Sequence, residues 1–214
     1  MRIAICDVGL GNLRSVQRAL EVAASRARVD LSIAITPDPD EVRRADKVVF
    51  PGQGAFRDCA RALERGVGDA LRDAIARGTP YLGICLGLQV LFATSDEVPG
   101  CAGFGVFPGH VCRLVPGTDD TGAPCKVPHT GWNTVERTHT GGLLPMSSPE
   151  GAWFYFVHGY VAAPDDASLV SGTTRHGADV FASAIERDNV FACQFHPEKS
   201  QEEGLALLER FVRA

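Results

Sequence analysis

The first 95 residues alternate between short apolar runs and longer segments with helical periodicity. The apolar runs predict strands buried on both faces, at 2–6, 29–35, 46–52 and 79–85. Apolar positions spaced by three or four residues predict helices at 12–23, 56–78 (broken near Gly66 and Gly68) and 86–95, whereas 37–41 reads as a loop. The order β-α-β-β-α-β-α is typical of a parallel sheet covered by helices, whose chemistry collects at the carboxyl ends of the strands.

The second half of the chain has shorter strands and frequent glycine and proline. Mostly antiparallel strands are predicted at 104–107, 110–115, 133–136, 153–158 and within 168–174, 180–189 and 190–198. The segment 201–214 closes the chain as an amphipathic helix. We therefore expect an α/β fold: a mostly parallel central sheet with helices on both faces, in flavodoxin-like layers, plus a smaller antiparallel sheet. Because no repeat or low-complexity tract divides the chain, 1–214 is expected to form one domain.

The composition of the chain argues against binding to nucleic acid or membrane and against a disulfide-rich fold. The chain has 214 residues and a formal net charge of −5, which gives no general basic footprint for nucleic acid. No apolar run approaches the ~20 residues that span a bilayer, and the N-terminus lacks a leader pattern. We expect a cytoplasmic protein that binds neither nucleic acid nor membrane. The seven cysteines form no C-x-x-C pair, which disfavours a disulfide framework and a metal site.

One cysteine stands at an unusual corner. In YLGICLGLQ, Cys85 lies between Gly83 and Gly87, where the fourth strand gives way to a helix. This G-x-C-x-G pattern has the form of a nucleophile elbow, a tight turn that lifts a reactive side chain above the sheet. The dipole of the following helix would favour the thiolate. A buried cysteine in a glycine-rich turn explains this stretch equally well.

Two other stretches offer partners for that cysteine. In CQFHPEKS, His196 follows an apolar strand and Glu198 comes two residues later, so an extended chain would point both the same way. Glu198 could then hold one ring nitrogen while the other faces a thiol; a strand end leaving the core is the alternative. In FPGQGAF, backbone N–H groups of Gly52, Gln53 and Gly54 are candidates for an oxyanion hole.

Together, GICLGLQVLF, PGQGAF and FHPEKS resemble the class I (triad) glutamine amidotransferases. The resemblance implies hydrolysis of L-glutamine to L-glutamate and ammonia through a cysteinyl thioester. It implies Cys85 as nucleophile, His196 as general base and acid, and Glu198 as the carboxylate that orients the imidazole. Gln89 would help to hold the substrate, and no cofactor is expected. The polar Gln53 departs from the aliphatic residue that the family often has in this loop.

Three further stretches, IAICDVGLGNLRSV, KVPHTGWNTV and FYFVHGY, are similar to the glutaminase subunits of imidazole glycerol phosphate synthases, from Ile3 to Phe211. That likeness implies a heterodimer with a cyclase subunit, a (β/α)8 barrel that receives ammonia in histidine biosynthesis. The cyclase would make imidazole glycerol phosphate and an aminoimidazole carboxamide ribotide. Five residues are candidates for the docking face: Asn12, His129, Trp132, Tyr155 and Lys199.

Alternatives stay open at this stage. Trp132 could close the core, Lys199 could be a solvated lysine, and His129 could have either role. Tyr155 and His158 are an odd number of residues apart, so one of them should pack inside. The chain could also serve another pathway as an amidotransferase or γ-glutamyl hydrolase, or it could be a non-catalytic binding subunit.

Overall fold

The computed structural model describes residues 1–63, 66–119, 121–139, 142–145 and 151–214, without the side chains of 61 and 62. Among these residues the helices are α1 (Leu13–Ala27), α2 (Pro39–Arg43), α3 (Phe56–Leu63), α4 (Val67–Ala76), α5 (Leu86–Gln89) and α6 (Gln201–Arg213). The strands are β1 (Arg2–Cys6), β2 (Ser32–Thr36), β3 (Lys47–Gly52), β4 (Tyr81–Cys85), β5 (Phe92–Ser95), β6 (Phe107–Arg113), β7 (His129–Arg137), β8 (Ala152–His158), β9 (Tyr160–Pro164), β10 (Val170–His176), β11 (Asp179–Arg187) and β12 (Val190–Cys193). Within the described ranges, no helix is long and apolar enough to cross a bilayer.

The strands form one hydrogen-bonded path in the order β2-β1-β3-β4-β12-β11-β10-β7-β8. The first five are parallel, and antiparallel pairing begins between β12 and β11. A branch through β9, β6 and β5 leaves this path at β11. The α/β class with a mostly parallel sheet is confirmed, and the antiparallel strands of the second half continue that sheet beyond β12.

Side chains alternate across the parallel sheet and build a core on each face. In β1, Ala4 and Cys6 join the cluster beneath α3 and α4, whereas Ile3 and Ile5 join the cluster beneath α1 and α6. All four residues are fully buried. Burial on both faces explains why the parallel strands read as continuous apolar runs.

Three local predictions were wrong. The short strand predicted at 104–107 is absent over 104–106, since β6 begins at Phe107 and continues to Arg113. Residues 37–41 are not simply a loop, because Asp38 accepts a hydrogen bond from Asp40 N at 2.8 Å and starts α2, with proline in the first turn. The helix predicted over 86–95 ends after one turn, and Phe92–Ser95 becomes β5, which pairs with β6 in parallel. Tertiary pairing overrides the helical spacing there. The break near Gly66 is confirmed, since α4 begins at Val67 and Gly66 has a φ of +92°.

The parallel register brings the predicted chemistry to one edge of the sheet. Gly52 at the end of β3 lies opposite Cys85 at the end of β4. Cys193 at the end of β12 lies opposite Ile84, so the His196 segment leaves the sheet beside the cysteine. This edge is where the carboxyl ends of the parallel strands meet.

Candidate active site

Cys85 occupies a strained corner that its flanking glycines make possible. Its backbone has φ 55° and ψ −103°, a combination rare for a residue with a side chain. A Cβ at Gly83 would overlap the Gly87 carbonyl oxygen, and one at Gly87 would overlap the Phe50 carbonyl oxygen. Only glycine permits these approaches, so the predicted elbow is present.

The helix after the elbow is shorter than the sequence suggested. It covers only Leu86–Gln89, and the chain turns at Val90 toward β5. A helix dipole is the sum of its aligned peptide units. The four-residue α5 therefore contributes little to stabilising a thiolate at Cys85.

His196 and Glu198 form a buried pair. The Nδ1 atom of His196 is 2.8 Å from Oε1 of Glu198, and their side chains are 1% and 2% exposed. The extended chain predicted for this segment was wrong. Pro197–Lys199 forms a 3-10 turn, and this turn brings Glu198 to His196. Ser200 Oγ also donates to the His196 carbonyl at 2.6 Å. The turn and this bond hold the carboxylate against the ring.

The electrostatics of His196 favour its protonated form. Burial lowers the pKa of His196, but contacts with Cys85 and Glu198 outweigh burial and raise the pKa to about 9. Among the described residues, Nε2 of His196 has no partner within hydrogen-bond geometry. Nδ1 is occupied by Glu198, so Nε2 is the nitrogen that remains for a thiol or a leaving amine.

A cavity of about 500 Å³ opens above the cysteine. It is lined by Gln53, Gly54, Cys85, Leu86, Gln89, Glu97, Arg113, Val127, Pro128, Val157, His158, Gly159 and Tyr160. Gly54 has a φ of +114°, which a side chain would strain. At Gly52 a Cβ would stand 2.7 Å from Leu86 Cβ, so glycine lets the two strand ends meet. The predicted oxyanion loop thus borders the cavity beside the thiol.

Gln89 and Gln194 also lie beside the cysteine. Gln89 is 3% exposed and lines the cavity, where its Nε2 donates to the Tyr160 carbonyl and to Gln194 Oε1, both at 3.1 Å. Gln194 is fully buried, and its Nε2 lies 3.5 Å from Cys85 Sγ. Motif spacing did not single out Gln194, although a polar residue in the apolar run VFACQF is a signal for it.

Comparison with known proteins decides the family. The family model described as glutamine amidotransferase class-I matches residues 5–214. The chain belongs to the class-I glutamine amidotransferase family. Within this family it is similar to the imidazole glycerol phosphate synthase subunit HisH of Nitrosococcus oceani, with 46% identity over 98% of this chain and 96% of that protein. The HisH subunit of Nitrosospira multiformis is 47% identical, covering 99% of this chain and 97% of its own.

Solved structures support the same amidotransferase fold. PurLQS from Thermotoga maritima superposes with a TM-score of 0.70 at 19% identity, covering 99% of this chain and 97% of that one. A glutamine amidotransferase from the same organism gives a TM-score of 0.62 at 14% identity, covering 100% and 99%. At these identities the likeness concerns the fold.

Four of the five docking candidates of this amidotransferase reach its surface. Asn12 is exposed and caps α1, accepting from Ser15 N at 3.3 Å. Trp132 is 43% exposed and lies edge-on to Tyr155, with ring centroids 6.1 Å apart. Lys199 Nζ stands 5.7 Å from the centre of the Tyr155 ring. Their docking role stays a prediction.

His129 is placed differently from the other candidates. It is 5% exposed and stacks on Phe156 and His176, with centroids 4.8 and 4.2 Å away. Its burial does not support direct contact with a partner, because β7 turns this position inward. His158 is also buried, at 6% exposure, whereas Tyr155 is only partly buried, as the odd spacing required.

Proposed function

We propose that this chain hydrolyses L-glutamine to L-glutamate and ammonia with Cys85 as nucleophile, as the glutaminase subunit of an imidazole glycerol phosphate synthase. The observation that carries the proposal is the buried His196–Glu198 pair, whose imidazole interacts with Cys85. A cavity of about 500 Å³ above Cys85 is large enough for an amino acid.

The proposed reaction begins with proton transfer from the thiol of Cys85 to Nε2 of His196. The sulfur attacks the γ-carboxamide carbon, and backbone N–H groups of the Gly52–Gly54 loop and Leu86 stabilise the oxyanion. His196 then returns the proton to the leaving nitrogen, which departs as ammonia and leaves a γ-glutamyl thioester. Water, deprotonated by the same imidazole, hydrolyses the thioester and releases glutamate.

The pKa of His196 suits this cycle. Because the pKa of His196 is raised to about 9, the ring holds a proton near neutral pH once it has received that proton from the thiol. Glu198 helps to stabilise the protonated imidazole of His196. Because the carboxylate contacts Nδ1, the Nε2 atom points away from Glu198. The carboxylate acts by positioning and charge, without receiving the proton.

The proposed partner is the cyclase subunit, a (β/α)8 barrel, in a heterodimer that channels ammonia. Support comes from HisH proteins, which are named as subunits of that synthase. Two of them are 46% and 47% identical to this chain over nearly its full length. On the outer side of β7 and β8, Trp132 and Trp153 are 43% and 56% exposed. Their large exposed rings, with Tyr155 between them, are the kind of side chains that anchor protein interfaces.

The deciding experiment measures glutamate release by the chain alone and with the cyclase subunit and its ribonucleotide ligand. We expect slow hydrolysis alone and a rise of orders of magnitude in the complex. Cys85→Ala should abolish synthesis from glutamine and leave synthesis from added ammonia intact. Equal rates with and without the cyclase would contradict the partner, and a Cys85→Ala complex working from glutamine would contradict the nucleophile.

A further inference from the structure

Gln194 touches the sulfur of the nucleophile yet has no place in the Cys-His-Glu triad. Its side chain is fully buried, and its Nε2 lies 3.5 Å from Cys85 Sγ. Burying an amide is costly unless its polar atoms are paired. Gln194 Oε1 is paired with Gln89, which leaves the Nε2 group facing the sulfur.

Hydrogen-bond chemistry fixes the direction of this contact. The Tyr160 carbonyl oxygen can only accept, so the Gln89 atom 3.1 Å from it is the NH2 group. The second hydrogen of that NH2 donates to Gln194, whose facing atom must be the oxygen. The other end of the Gln194 amide is therefore the donor, and it points at Cys85 Sγ.

Two histidines hold the other side of the Tyr160 carbonyl. His158 Nδ1 lies 3.0 Å from that oxygen and must donate to it, so Nε2 of the neutral ring accepts from His129 Nδ1 at 3.1 Å. His129 Nε2 then accepts from Asn133 Nδ2 at 3.2 Å. Burial lowers the pKa of His158 to about 3 and of His129 to about 4, so both rings are neutral at pH 7.

We propose that Gln194 stabilises the thiolate of Cys85 by donating a hydrogen bond from Nε2, in an orientation imposed by the Tyr160 carbonyl through Gln89. The chain His158–His129–Asn133 holds that carbonyl in place from its other side. When the Sγ proton moves to Nε2 of His196, the electron pair stays on sulfur and the Gln194 N–H group faces the new negative charge. Hydrogen bonds to charged groups are stronger than those between neutral groups. The inference rests on the proposed function, since it requires Cys85 to react as a thiolate.

The titratable groups that interact with Cys85 come from three directions. His196 approaches from beyond β12, Cys193 from β12 and Cys59 from α3. Burial raises the pKa of Cys59 to about 12 and that of Cys193 well above its ordinary value, so both stay neutral. This leaves the imidazolium and the Gln194 amide as the groups that stabilise charge on the sulfur.

The test uses Gln194→Met and Gln194→Glu in the complex with the cyclase subunit, with Ser183→Ala as matched control. Methionine keeps the length without a donor, and glutamate keeps the shape but replaces the donor with an acceptor. Ser183 is the neighbouring buried polar residue whose hydroxyl has no partner in the described structure. The readouts are kcat and KM for glutamine and the pH dependence of Cys85 alkylation by iodoacetamide, followed by mass spectrometry.

We expect Gln194→Met to lower kcat about tenfold, equivalent to about 1.4 kcal/mol, with KM nearly unchanged. The pH of half-maximal alkylation should rise by about one unit. Gln194→Glu should lose more on both readouts, and Ser183→Ala should match the unmodified chain. If Gln194→Met keeps its kcat, or loses kcat with an unshifted alkylation profile, Gln194 only fills space and the inference is wrong.

A second measurement needs no substitution at Gln194. In the unmodified chain, the side-chain amide proton resonances of Gln194 should move with pH, with the same midpoint as alkylation, and should stop moving in Cys85→Ala. Gln194 resonances that do not change with pH, or that change with a different midpoint from alkylation, would overturn the inference. The proposed function fails separately, if the unmodified complex releases no glutamate or Cys85→Ala still does.

Discussion

The buried pair His129 and His158 should make the folded chain sensitive to mild acid. Burial, followed by the charge of a neighbouring imidazole, lowers the pKa of His129 to about 4 and that of His158 to about 3, from 6.5. Below pH 6.5 the unfolded chain binds protons at these residues and the folded chain does not. Stability that depends on the neutral rings is therefore present above pH 6.5 and is lost as the pH falls toward 4 and then 3.

The size of the effect follows from these shifts. Between pH 7 and pH 5 each histidine should reduce the free energy of unfolding by about 1.8 kcal/mol, or about 4 kcal/mol together. His196 acts in the opposite sense, because its pKa is raised to about 9. Its contribution is complete below pH 6.5 and is lost as the pH rises through 9, so it adds only about 0.8 kcal/mol between pH 7 and pH 5. A net loss of about 3 kcal/mol is a large share of a typical stability of ~5–15 kcal/mol.

The assay is urea unfolding at pH 7 and pH 5, for the unmodified chain and for His129→Asn combined with His158→Gln. Each substitute keeps a donor and an acceptor for its neighbours but has no proton to gain. Because all other titrating groups are shared, the double variant should lose about 4 kcal/mol less than the unmodified chain over this range. Each single variant should lie halfway. An equal pH dependence in all four proteins would refute the assignment of neutral buried rings.

Three further substitutions test other parts of the site. Glu198→Gln removes the charge that helps to hold the proton on His196, so kcat for glutamine should fall at least about tenfold while ammonia-dependent synthesis is unchanged; a loss under twofold would contradict the role of Glu198. Gly87→Ala forces a methyl group onto the Phe50 carbonyl and should lower the free energy of unfolding by ~1–3 kcal/mol in urea, so an unchanged midpoint would contradict the close approach. Trp132→Ala should weaken cyclase binding about tenfold by calorimetry without destabilising the chain; unchanged affinity would return Trp132 to a packing role.

Much of the site was predictable because short sequence motifs reflect steric requirements between neighbouring residues. Gly83 and Gly87 flank Cys85 in the sequence, and the structure shows that each glycine is needed by a carbonyl oxygen that approaches its Cα. The pairing of His196 with Glu198 was anticipated from their spacing of two. The reason offered was wrong, since a 3-10 turn brings the carboxylate to the ring.

The limits of local patterns appear at 86–95 and at His129. The spacing of apolar residues favours a helix over 86–95, but Phe92–Ser95 pairs with β6, a partner that the local pattern does not name. His129 read equally well as a surface or core residue, and β7 turns it inward onto Phe156. Both outcomes depend on contacts between residues distant along the chain.

The sequence by itself determined the four apolar strands of the first half, the elbow at Cys85 and the likeness to class I amidotransferases, because apolar runs, glycine sterics and motif spacing are local properties. Only the tertiary structure decided that β12 lies beside β4, with Cys193 opposite Ile84. That parallel pairing lets the His196 segment leave the sheet beside Cys85, and it places the amide of Gln194 against the sulfur. Long-range pairing depends on which surfaces are buried together, and a single residue pattern does not contain that information.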